Sequence, residues 1–306
     1  MPLFSTVIPV FNRAQLIRAT LDSVLAQDFG DQEIIVVDDG STDDTLQTLA
    51  TYGNRIRVLR QNNSGPAVAR NLGIAEAGGK YITILDSDDL WFPWTLATYA
   101  EAIERFDSPA FMAGAPSVFS VESQARAIRR EPLKAERFAD YLASGDAWRW
   151  FSASSFVLRA DAVRAVGGFS TEWINSDDAD LAMRLGQAEG FVDIQAPATF
   201  AYRDHAGSLK SKTDVSFRSL AYMIAQERAG AYPGGDARRR ERLEILTRHV
   251  RPFTLECLRA GAISQGWNVY RKTFAWHLAM GRASYLCAYP VLAAIHGMKR
   301  RKATAA

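Results

Sequence analysis

Three aspartates stand within four residues directly after an apolar run. The segment ILDSDDLW, residues 84–91, contains Asp86, Asp88 and Asp89. Carboxylate oxygens are the hard ligands that Mg²⁺ and Mn²⁺ prefer, and such a cation can bridge to phosphate oxygens. If the segment is extended, the side chains of Asp86 and Asp88 point to the same side, because they are two residues apart. The alternative is a solvated acidic turn in which Asp89 is the N-cap of the next helix.

The elements that would position these aspartates are strands that alternate with helices. Short apolar, β-branched runs predict strands at 3–10, 33–37, 55–61 and 80–86. Helical patterns lie between them at 14–27, in the second part of 38–52 after Ser41 or Thr42 as N-cap, and at 65–79. This alternation predicts an α/β fold with a mostly parallel central sheet and helices on both faces. Ligands of such sheets bind at the carboxyl ends of the strands, where Asp38, Asp39 and the 86–89 aspartates fall.

The rest of the chain is less regular and then helical. More strand is expected at 111–123, a helix leading into an aromatic-rich loop at 137–151, and a helix at 175–190. Beyond about residue 215 the pattern is helical and increasingly basic. We therefore expect an α/β domain over 1–214 and a helical basic C-terminal extension over 215–306.

Composition and charge are those of a soluble globular protein with an uneven charge distribution. The 306 residues are 48% hydrophobic and 23% charged. Residues 236–306 hold 14 Lys and Arg against four Asp and Glu, whereas the remainder holds 22 against 30. An acidic body and a basic tail are expected to meet different partners. The two cysteines lie 30 residues apart, which favours a reducing, cytoplasmic setting over a disulfide framework or a thiolate metal site.

Two common nucleotide-binding loops do not occur in the sequence. The first strand is followed by VFNR rather than GxGxxG, and GxxxxGK[ST] is absent as well. A nucleotide bound here would need another way to neutralise its phosphates. A divalent cation held by carboxylates would do so.

Four blocks of the sequence, in their order and spacing, carry a resemblance to a known family. The blocks are STVIPVFNR, SVLAQDFGDQEIIVVDDGSTDDT, NNSGPAVARNLGIAEAGGKYITILDSDDLWFP and GGFSTEWINSDDADLAMRL. They resemble the successive blocks of the family-2 glycosyltransferases, inverting enzymes with the GT-A type of Rossmann-like nucleotide-sugar fold. The similarity covers about residues 4–100 and resumes at about 150–211. It implies a nucleotide-sugar-binding half over 1–107 and an acceptor half over 108–214.

For the donor nucleotide, the resemblance implies several contacts. Pro9 and Asn12, in the loop after the first strand, would line the base pocket. Asp39 would accept a hydrogen bond from the base, with Asp38 supporting it or simply capping a strand end. Arg70 would lie near the nucleotide, or would form a surface salt bridge.

The resemblance also implies a metal site of the DxD type that holds Mn²⁺ or Mg²⁺. Asp88 would be the principal ligand between the diphosphate oxygens, and Asp86 would contact the metal or the ribose. His205, in the segment YRDHAGSLKS, would complete the metal shell or contact the diphosphate, or would be structural.

The resemblance implies that Asp178 is the catalytic base, and that Asp177, which replaces the glutamate that usually precedes it, lies at the acceptor site. The attacking hydroxyl must lose its proton, and the first turn of a helix favours the ionised carboxylate that a base requires. The same position is also common for acids that only stabilise a helix. Trp148 and Trp150 could stack on an acceptor sugar, although core packing would explain them too.

The resulting hypothesis is a metal-dependent inverting glycosyltransferase. It would move a sugar from a nucleoside diphosphate donor, with UDP favoured, to a hydroxyl of a glycan or lipid-linked acceptor in cell-surface polysaccharide or glycoconjugate synthesis. The alternatives are a non-catalytic nucleotide-sugar-binding protein and a sugar nucleotidyltransferase. No nucleic-acid partner is expected, and an oligomer would be compatible with the sequence.

Neither apolar run near the ends of the sequence is predicted to span a membrane. The N-terminal run lacks a basic lead and is expected to be a strand rather than a signal sequence. Near the C-terminus the longest uncharged run, 283–298, is shorter than the roughly 20 apolar residues that a span needs. The helix there would lie on an anionic leaflet through the basic cluster 299–302, at the inner face of the membrane, or would pack on the core or on a second copy.

Overall fold

The computed structural model describes residues 1–146, 152–172, 174–204 and 213–304. These residues divide into two compact units that interleave along the chain. The first unit contains residues 1–141, 152–171 and 187–204. The second contains residues 142–146, 172–186 apart from Trp173, and 213–304.

Parallel strands form the N-terminal half of the first unit's sheet. They are β1 (Phe4–Val10), β2 (Gln32–Asp38), β3 (Arg57–Arg60) and β4 (Tyr81–Ile84). Strand β1 lies between β2 and β4, and β3 pairs with β2. The helices between them are α1 (Ile17–Leu25), α2 (Thr45–Ala50) and α3 (Pro66–Glu76). The order of these strands and helices confirms the predicted alternation. Every residue of β1 is buried, as in a strand that is covered on both faces.

The other half of the sheet is mixed. Its strands are β5 (Leu90–Trp91), β6 (Phe111–Phe119), β7 (Lys134–Phe138), β8 (Phe156–Arg159) and β9 (Phe191–Arg203). Strand β8 is antiparallel to both β4 and β6, whereas β9 is parallel to β6 and antiparallel to β5 and β7. Helices α4 (Thr95–Arg105), α5 (Glu122–Ala127) and α6 (Ala160–Ala165) complete this half. Strands β6 and β9 therefore run in the same direction as β1–β4, and the antiparallel strands β5, β7 and β8 make the predicted mostly parallel sheet a mixed one.

Two predicted helices differ from the observed ones. Helix α2 begins at Thr45 with Asp44 at its N-cap position, rather than with the predicted Ser41 or Thr42. The Ser41 hydroxyl instead accepts a hydrogen bond from the Asn12 amide at 3.0 Å. In the region 137–151, strand β7 runs to Phe138, and the only helical stretch among the described residues there is a 3₁₀ turn at Leu142–Ser144. Pairing of Arg137 and Phe138 with Val192 and Phe191 of β9 makes the start of the predicted helix extended instead.

Helix α3 approaches β1 closely, which fixes the side chains that it carries. A Cβ atom at Gly73 would collide with the side chain of Val7 in β1. Glycine therefore lets the helix backbone settle directly onto the strand. Arg70 lies one turn earlier on the same helix and is buried.

The second unit is helical. It contains α7 (Asp177–Arg184), α8 (Thr213–Arg228), α9 (Arg239–Ala260), α10 (Ile263–Ala279) and α11 (Ala283–Thr304). Its apolar core joins α9, α10 and α11 through Leu258, Tyr270, Leu286, Tyr289 and Ala293. The predicted C-terminal helices are therefore confirmed. Of the helices that the structure describes, none is both long and apolar enough to cross a bilayer.

A buried ion pair fixes the connection between α8 and α9. The guanidinium of Arg242 donates to the Glu227 carboxylate at 2.7 Å, and both side chains are almost wholly buried. The same guanidinium also donates to the carbonyl oxygens of Pro233 and Gly235. These extra bonds satisfy the buried charge, as a buried ion pair requires.

Candidate active site

The segment Asp86–Asp89 is a tight turn directly after β4. The amide of Asp89 donates to the carbonyl oxygen of Asp86 at 3.1 Å. The segment is therefore not extended, so the condition under which two-residue spacing would align Asp86 with Asp88 is not met. Asp89 is also not a helix cap, because strand β5 follows it and the next helix begins only at Thr95.

Asp89 is instead the buried anchor of this turn. Its side chain is only 1% exposed, and its carboxylate accepts hydrogen bonds from the Arg203 amide at 3.0 Å and the Ser154 hydroxyl at 2.7 Å. The Ser154 oxygen in turn accepts a bond from the Asp86 amide at 3.0 Å. One hydroxyl thus connects the first and last residues of the turn.

Two further elements hold the backbone of the turn. The hydroxyl of Thr20, in α1, lies 3.0 Å from the Ser87 carbonyl oxygen and 2.9 Å from that of Asp89. The guanidinium of Arg203, at the end of β9, donates to the Asp88 carbonyl oxygen at 2.8 Å. The turn is therefore positioned by chain segments that are far apart in sequence. Such support from outside the turn is what a preorganised binding site requires.

The electrostatics of the turn favour a cation. Burial raises the pKa of Asp89 well above its usual range, and the nearby charges of Asp86 and Asp88 raise it further, against the hydrogen bonds from Ser154 and Arg203. A cluster of carboxylates that repel one another in this way is relieved by positive charge.

The other two aspartates of the turn are partly exposed, and each faces an arginine. The Asp86 carboxylate accepts a hydrogen bond from Arg70 at 2.7 Å, and the Arg70 guanidinium lies 5.1 Å from the centre of the Phe169 ring. The Asp88 carboxylate lies 3.8 Å from Nε of Arg13. The structure therefore brings together Arg70 and Asp86, which were both expected to lie near the nucleotide.

The chemistry of this donor set fits a divalent cation that is shared with a ligand. Two partly exposed carboxylates of one turn are hard oxygen donors, and Mg²⁺ or Mn²⁺ commonly takes one or two of them together with phosphate oxygens. Within the described ranges, no group of three or more His, Cys, Asp and Glu side chains could hold a metal by itself. A cation at Asp86 and Asp88 would thus depend on oxygens from the ligand. The predicted third ligand, His205, lies outside the described residues.

The carboxyl end of β2 carries a second pair of acids, and both are buried. The Asp39 carboxylate accepts hydrogen bonds from the Gln61 side chain at 2.7 Å and from the amides of Ser64 and Gly65 at 2.8 Å. Asp38 accepts a bond from the Ser41 amide at 3.1 Å and lies 3.4 Å from Nε of Arg60. The pair therefore holds the loops on either side of it in place.

Asn12 supports the same loops from the end of β1. It has a φ of 50°, a left-handed conformation that asparagine tolerates better than most residues. Its side-chain oxygen accepts hydrogen bonds from the Thr42 amide at 2.8 Å and the Asp43 amide at 3.3 Å. Pro9, which was expected in the loop, is a buried residue of β1 opposite Val37. Its placement in a loop is wrong, since the strand continues one residue beyond it.

A cavity opens beside these loops at the strand ends. Its volume is about 590 Å³, within the usual range for small-molecule sites. The lining residues are Gly40, Ser41, Thr42, Arg60, Gln61, Asn62 and Asn63. Every lining residue except the glycine has a polar side chain, which suits hydrogen bonding to a heterocyclic base or a ribose.

In the second unit, Asp177 and Asp178 lie in the first turn of α7, as predicted for Asp178. Asp177 is buried, and its carboxylate accepts a hydrogen bond from the Asp178 amide at 3.1 Å. Asp178 is partly exposed, and its carboxylate accepts a bond from the Ala179 amide at 2.6 Å. The amide groups at a helix start favour the ionised form of a carboxylate.

The helix start that carries Asp178 is firmly anchored. Asp180 is fully buried and accepts hydrogen bonds from Arg184 at 2.8 Å and the Tyr232 hydroxyl at 2.9 Å. Asn175, just before the helix, exchanges two hydrogen bonds with Ser219 of α8. The position of Asp178 within this unit is therefore well determined.

Sequence reasoning missed several residues that shape the turn. Arg13 lies in the block STVIPVFNR and Arg203 in the segment YRDHAGSLKS, so the family resemblance could have identified both. Ser154 and Thr20 carry no such signal, because their roles depend on the fold. Trp148 and Trp150, proposed for the acceptor, lie outside the described residues.

The chain is similar to known proteins in sequence and in fold. The profile of the family described as Glycosyl transferase family 2 matches residues 5–167, more than half of the chain. An uncharacterized glycosyltransferase of Rickettsia felis is 49% identical over 90 residues, which cover 29% of this chain but only 15% of that relative. The chain thus spans a small part of that curated relative.

Two solved structures share the fold. TarS of S. aureus in complex with UDP is similar with a TM-score of 0.64 and 20% identity, covering 97% of this chain and 91% of that one. The mannosyltransferase PcManGT from Pyrobaculum calidifontis, in complex with GDP-Man and Mn²⁺, has a TM-score of 0.55 at 20% identity, covering 97% and 87%. These similarities confirm the predicted α/β fold of the GT-A type.

Proposed function

The chain belongs to glycosyl transferase family 2, and we propose that it is a metal-dependent inverting enzyme that transfers a sugar from a nucleoside diphosphate to a hydroxyl group. The observation that carries this proposal is the turn Asp86–Asp89, which is held in place by hydrogen bonds from distant segments. It presents two partly exposed carboxylates at the end of a parallel strand, where α/β sheets hold their ligands. The donor half would be 1–107 and the acceptor half 108–214.

The donor's nucleoside would lie in the cavity beside Asp38, Asp39 and Asn12. Its walls offer hydrogen-bonding groups, and Asp39 keeps the loop at Gln61 in place. UDP is the favoured nucleotide, because TarS of S. aureus was solved with UDP and with UDP-GlcNAc. GDP is the alternative, since PcManGT was solved with GDP-Man.

The diphosphate would lie at the turn, where Asp86 and Asp88 would hold Mn²⁺ or Mg²⁺. When bound, the cation supplies Lewis-acid stabilisation of the departing diphosphate. Arg70 keeps Asp86 in place through their hydrogen bond, and Arg13 lies beside Asp88. Manganese is present in the complex of PcManGT.

Asp178 would be the general base. The acceptor oxygen attacks the anomeric carbon as its proton passes to the Asp178 carboxylate, and the bond from that carbon to the diphosphate oxygen breaks. Attack from the side opposite the leaving group inverts the anomeric configuration. The acceptor would be a glycan or a lipid-linked glycan of the cell surface.

The test is nucleoside diphosphate release from a panel of UDP-, GDP- and dTDP-sugars with Mn²⁺, with and without cell-envelope extract. We expect Asp178→Asn to lower turnover by about 100-fold or more while donor affinity is retained. Asp214→Asn is the matched control, because it makes the same change in the first turn of α8. It should leave turnover unchanged.

Two outcomes would contradict the proposal. Donor binding by the wild type without release on any acceptor extract would favour a nucleotide-sugar-binding protein. Release of pyrophosphate from a nucleoside triphosphate and a sugar phosphate would favour a nucleotidyltransferase.

A further inference from the structure

Helix α11 is apolar on two opposite sides. One side packs into the core of the second unit through Leu286, Tyr289 and Ala293. The other side is exposed and carries Val291, Leu292, Ile295 and Met298, which are 59, 36, 38 and 58% accessible. Spacings of three and four residues place these four side chains along one face of the helix. We refer to them as the exposed α11 face.

An apolar helix of this kind normally has both sides covered. Residues 283–298 contain no charged side chain, and a helix that is apolar all round is typical of buried positions. Contiguous exposed apolar surface commonly marks an interaction site. Helix α10 exposes large apolar side chains as well, with Phe274 at 43% and Leu278 at 63%.

The charge of this region indicates what covers the exposed α11 face. Residues 257–306 contain eight Lys and Arg and no Asp or Glu. Four of the eight follow the exposed face directly, at positions 299–302, and Arg271 and Lys272 lie on the exposed part of α10. Apolar side chains followed by a basic cluster are complementary to the surface of a bilayer with anionic headgroups.

We propose that the exposed α11 face lies in the surface of an anionic membrane. Its four apolar side chains would enter the boundary between headgroups and acyl chains, and the positive charge of residues 257–306 would favour anionic headgroups. A second copy of the chain is a poorer partner, because it would bring the same positive charge to the contact. This proposal does not depend on the sugar donor or on the base.

The test uses the full chain and vesicle flotation. One set of vesicles is phosphatidylcholine, and the other has about three parts phosphatidylcholine to one part phosphatidylglycerol. We expect binding to the anionic vesicles to be at least about tenfold stronger, and to fall by a similar factor between roughly 0.1 M and 1 M salt. Equal binding to both sets, or no binding to either, would overturn the proposal.

Two paired variants separate the apolar and the electrostatic contributions. Ile295→Ser with Met298→Ser, and Arg300→Gln with Arg301→Gln, should each weaken vesicle binding about tenfold. The controls lie on α9: Leu255→Ser replaces an exposed apolar residue, and Arg239→Gln with Arg240→Gln replaces two exposed arginines. Helix content by circular dichroism should equal that of the wild type in all of them.

The same variants decide against the proposal in two cases. Unchanged vesicle binding by Ile295→Ser with Met298→Ser would mean that the face does not enter the bilayer. A concentration-dependent dimer in ultracentrifugation that this pair of substitutions abolishes, in a chain that does not bind vesicles, would assign the face to a second copy.

Discussion

The tripeptide Ser-Asp-Asp occurs twice in this chain, and its two copies have opposite burial patterns. In residues 87–89 the second aspartate, Asp89, is buried and the first, Asp88, is partly exposed. In residues 176–178 the first aspartate, Asp177, is buried and the second is partly exposed. One copy forms a turn after a strand, and the other begins a helix.

The comparison shows that each acidic cluster combines a partly exposed carboxylate with a buried anchor. At the turn the anchor is Asp89, held by neutral donors from Ser154 and the Arg203 backbone. At the helix the strongest anchor is Asp180, which is paired with the charged Arg184 and with Tyr232. The partly exposed carboxylates are those with the proposed chemical roles, whereas the anchors hold the segments that carry them. Substitutions of the two kinds should therefore have different effects.

The largest effect is expected from the exposed carboxylate of the turn. Asp88→Asn removes the proposed principal metal ligand. Because the departing diphosphate then loses its stabilisation by the metal, kcat/KM should fall roughly 1,000-fold. Calorimetry should show that Mn²⁺ no longer strengthens donor binding. Asp44→Asn is a suitable control, because Asp44 is exposed and its side chain makes no capping bond to α2. Metal-stimulated donor binding that survives in Asp88→Asn would remove Asp88 from the site.

The helix anchor should matter for stability more than the exposed acid beside it. Asp180→Ala leaves the partly buried Arg184 without its ion pair and the buried Tyr232 hydroxyl without its acceptor, so the free energy of unfolding should fall by about 3 kcal/mol. Asp178→Asn should change it by less than about 1 kcal/mol. Urea denaturation of both variants measures the difference. If both variants lost the same free energy of unfolding, Asp180 would not be a stronger anchor than Asp178.

Acid should affect the two units differently. Among the described residues, the fully buried His277 and the partly buried His249 both belong to the second unit. Burial lowers the pKa of His277 to about 4, so the unfolded chain, whose histidine has its ordinary pKa, binds the proton more readily. Stability is therefore full above the unfolded pKa and is lost as the pH falls towards 4.

The matching variant is His277→Asn, which keeps a donor for the Thr273 carbonyl oxygen. Between about pH 7 and pH 4.5 the wild type should lose about 2 kcal/mol more unfolding free energy than this variant. Urea titrations at both pH values give the numbers. The same loss in both proteins would mean that His277 is not responsible.

The smallest effect is expected from the hydroxyl that joins the ends of the acidic turn. Ser154→Ala removes one hydrogen bond to Asp89 and the acceptor for the Asp86 amide, which should cost about 1 kcal/mol of stability. Metal-dependent donor binding should weaken several-fold, because the turn is less firmly held. Ser155→Ala is the control, since its hydroxyl donates to the Ser152 carbonyl oxygen instead. Equal donor affinity in the two variants would show that the turn does not need Ser154.

The sequence alone predicted the secondary-structure elements and the strand or helix ends at which the acidic residues lie. Alternation of strands and helices placed Asp38, Asp39 and the turn at the carboxyl ends of parallel strands, and helical periodicity placed Asp178 in the first turn of α7. These features follow from residues that are neighbours in the chain, because backbone periodicity and turns are local. Family resemblance added Arg70, which the structure places on Asp86. The catalytic role of Asp178 stays a prediction.

Only the tertiary structure decided which acid of each cluster is buried. Asp89 finds its partners 65 and 114 residues further along the chain, at Ser154 and Arg203. No local pattern distinguishes it from Asp88, so the sequence suggested a helix cap where the fold has a buried anchor. The antiparallel insertion of β8 between β4 and β6 brings Ser154 to the turn, and β9 brings Arg203. Burial depends on such crossings of distant segments, whereas the identity of the acids depends on the sequence alone.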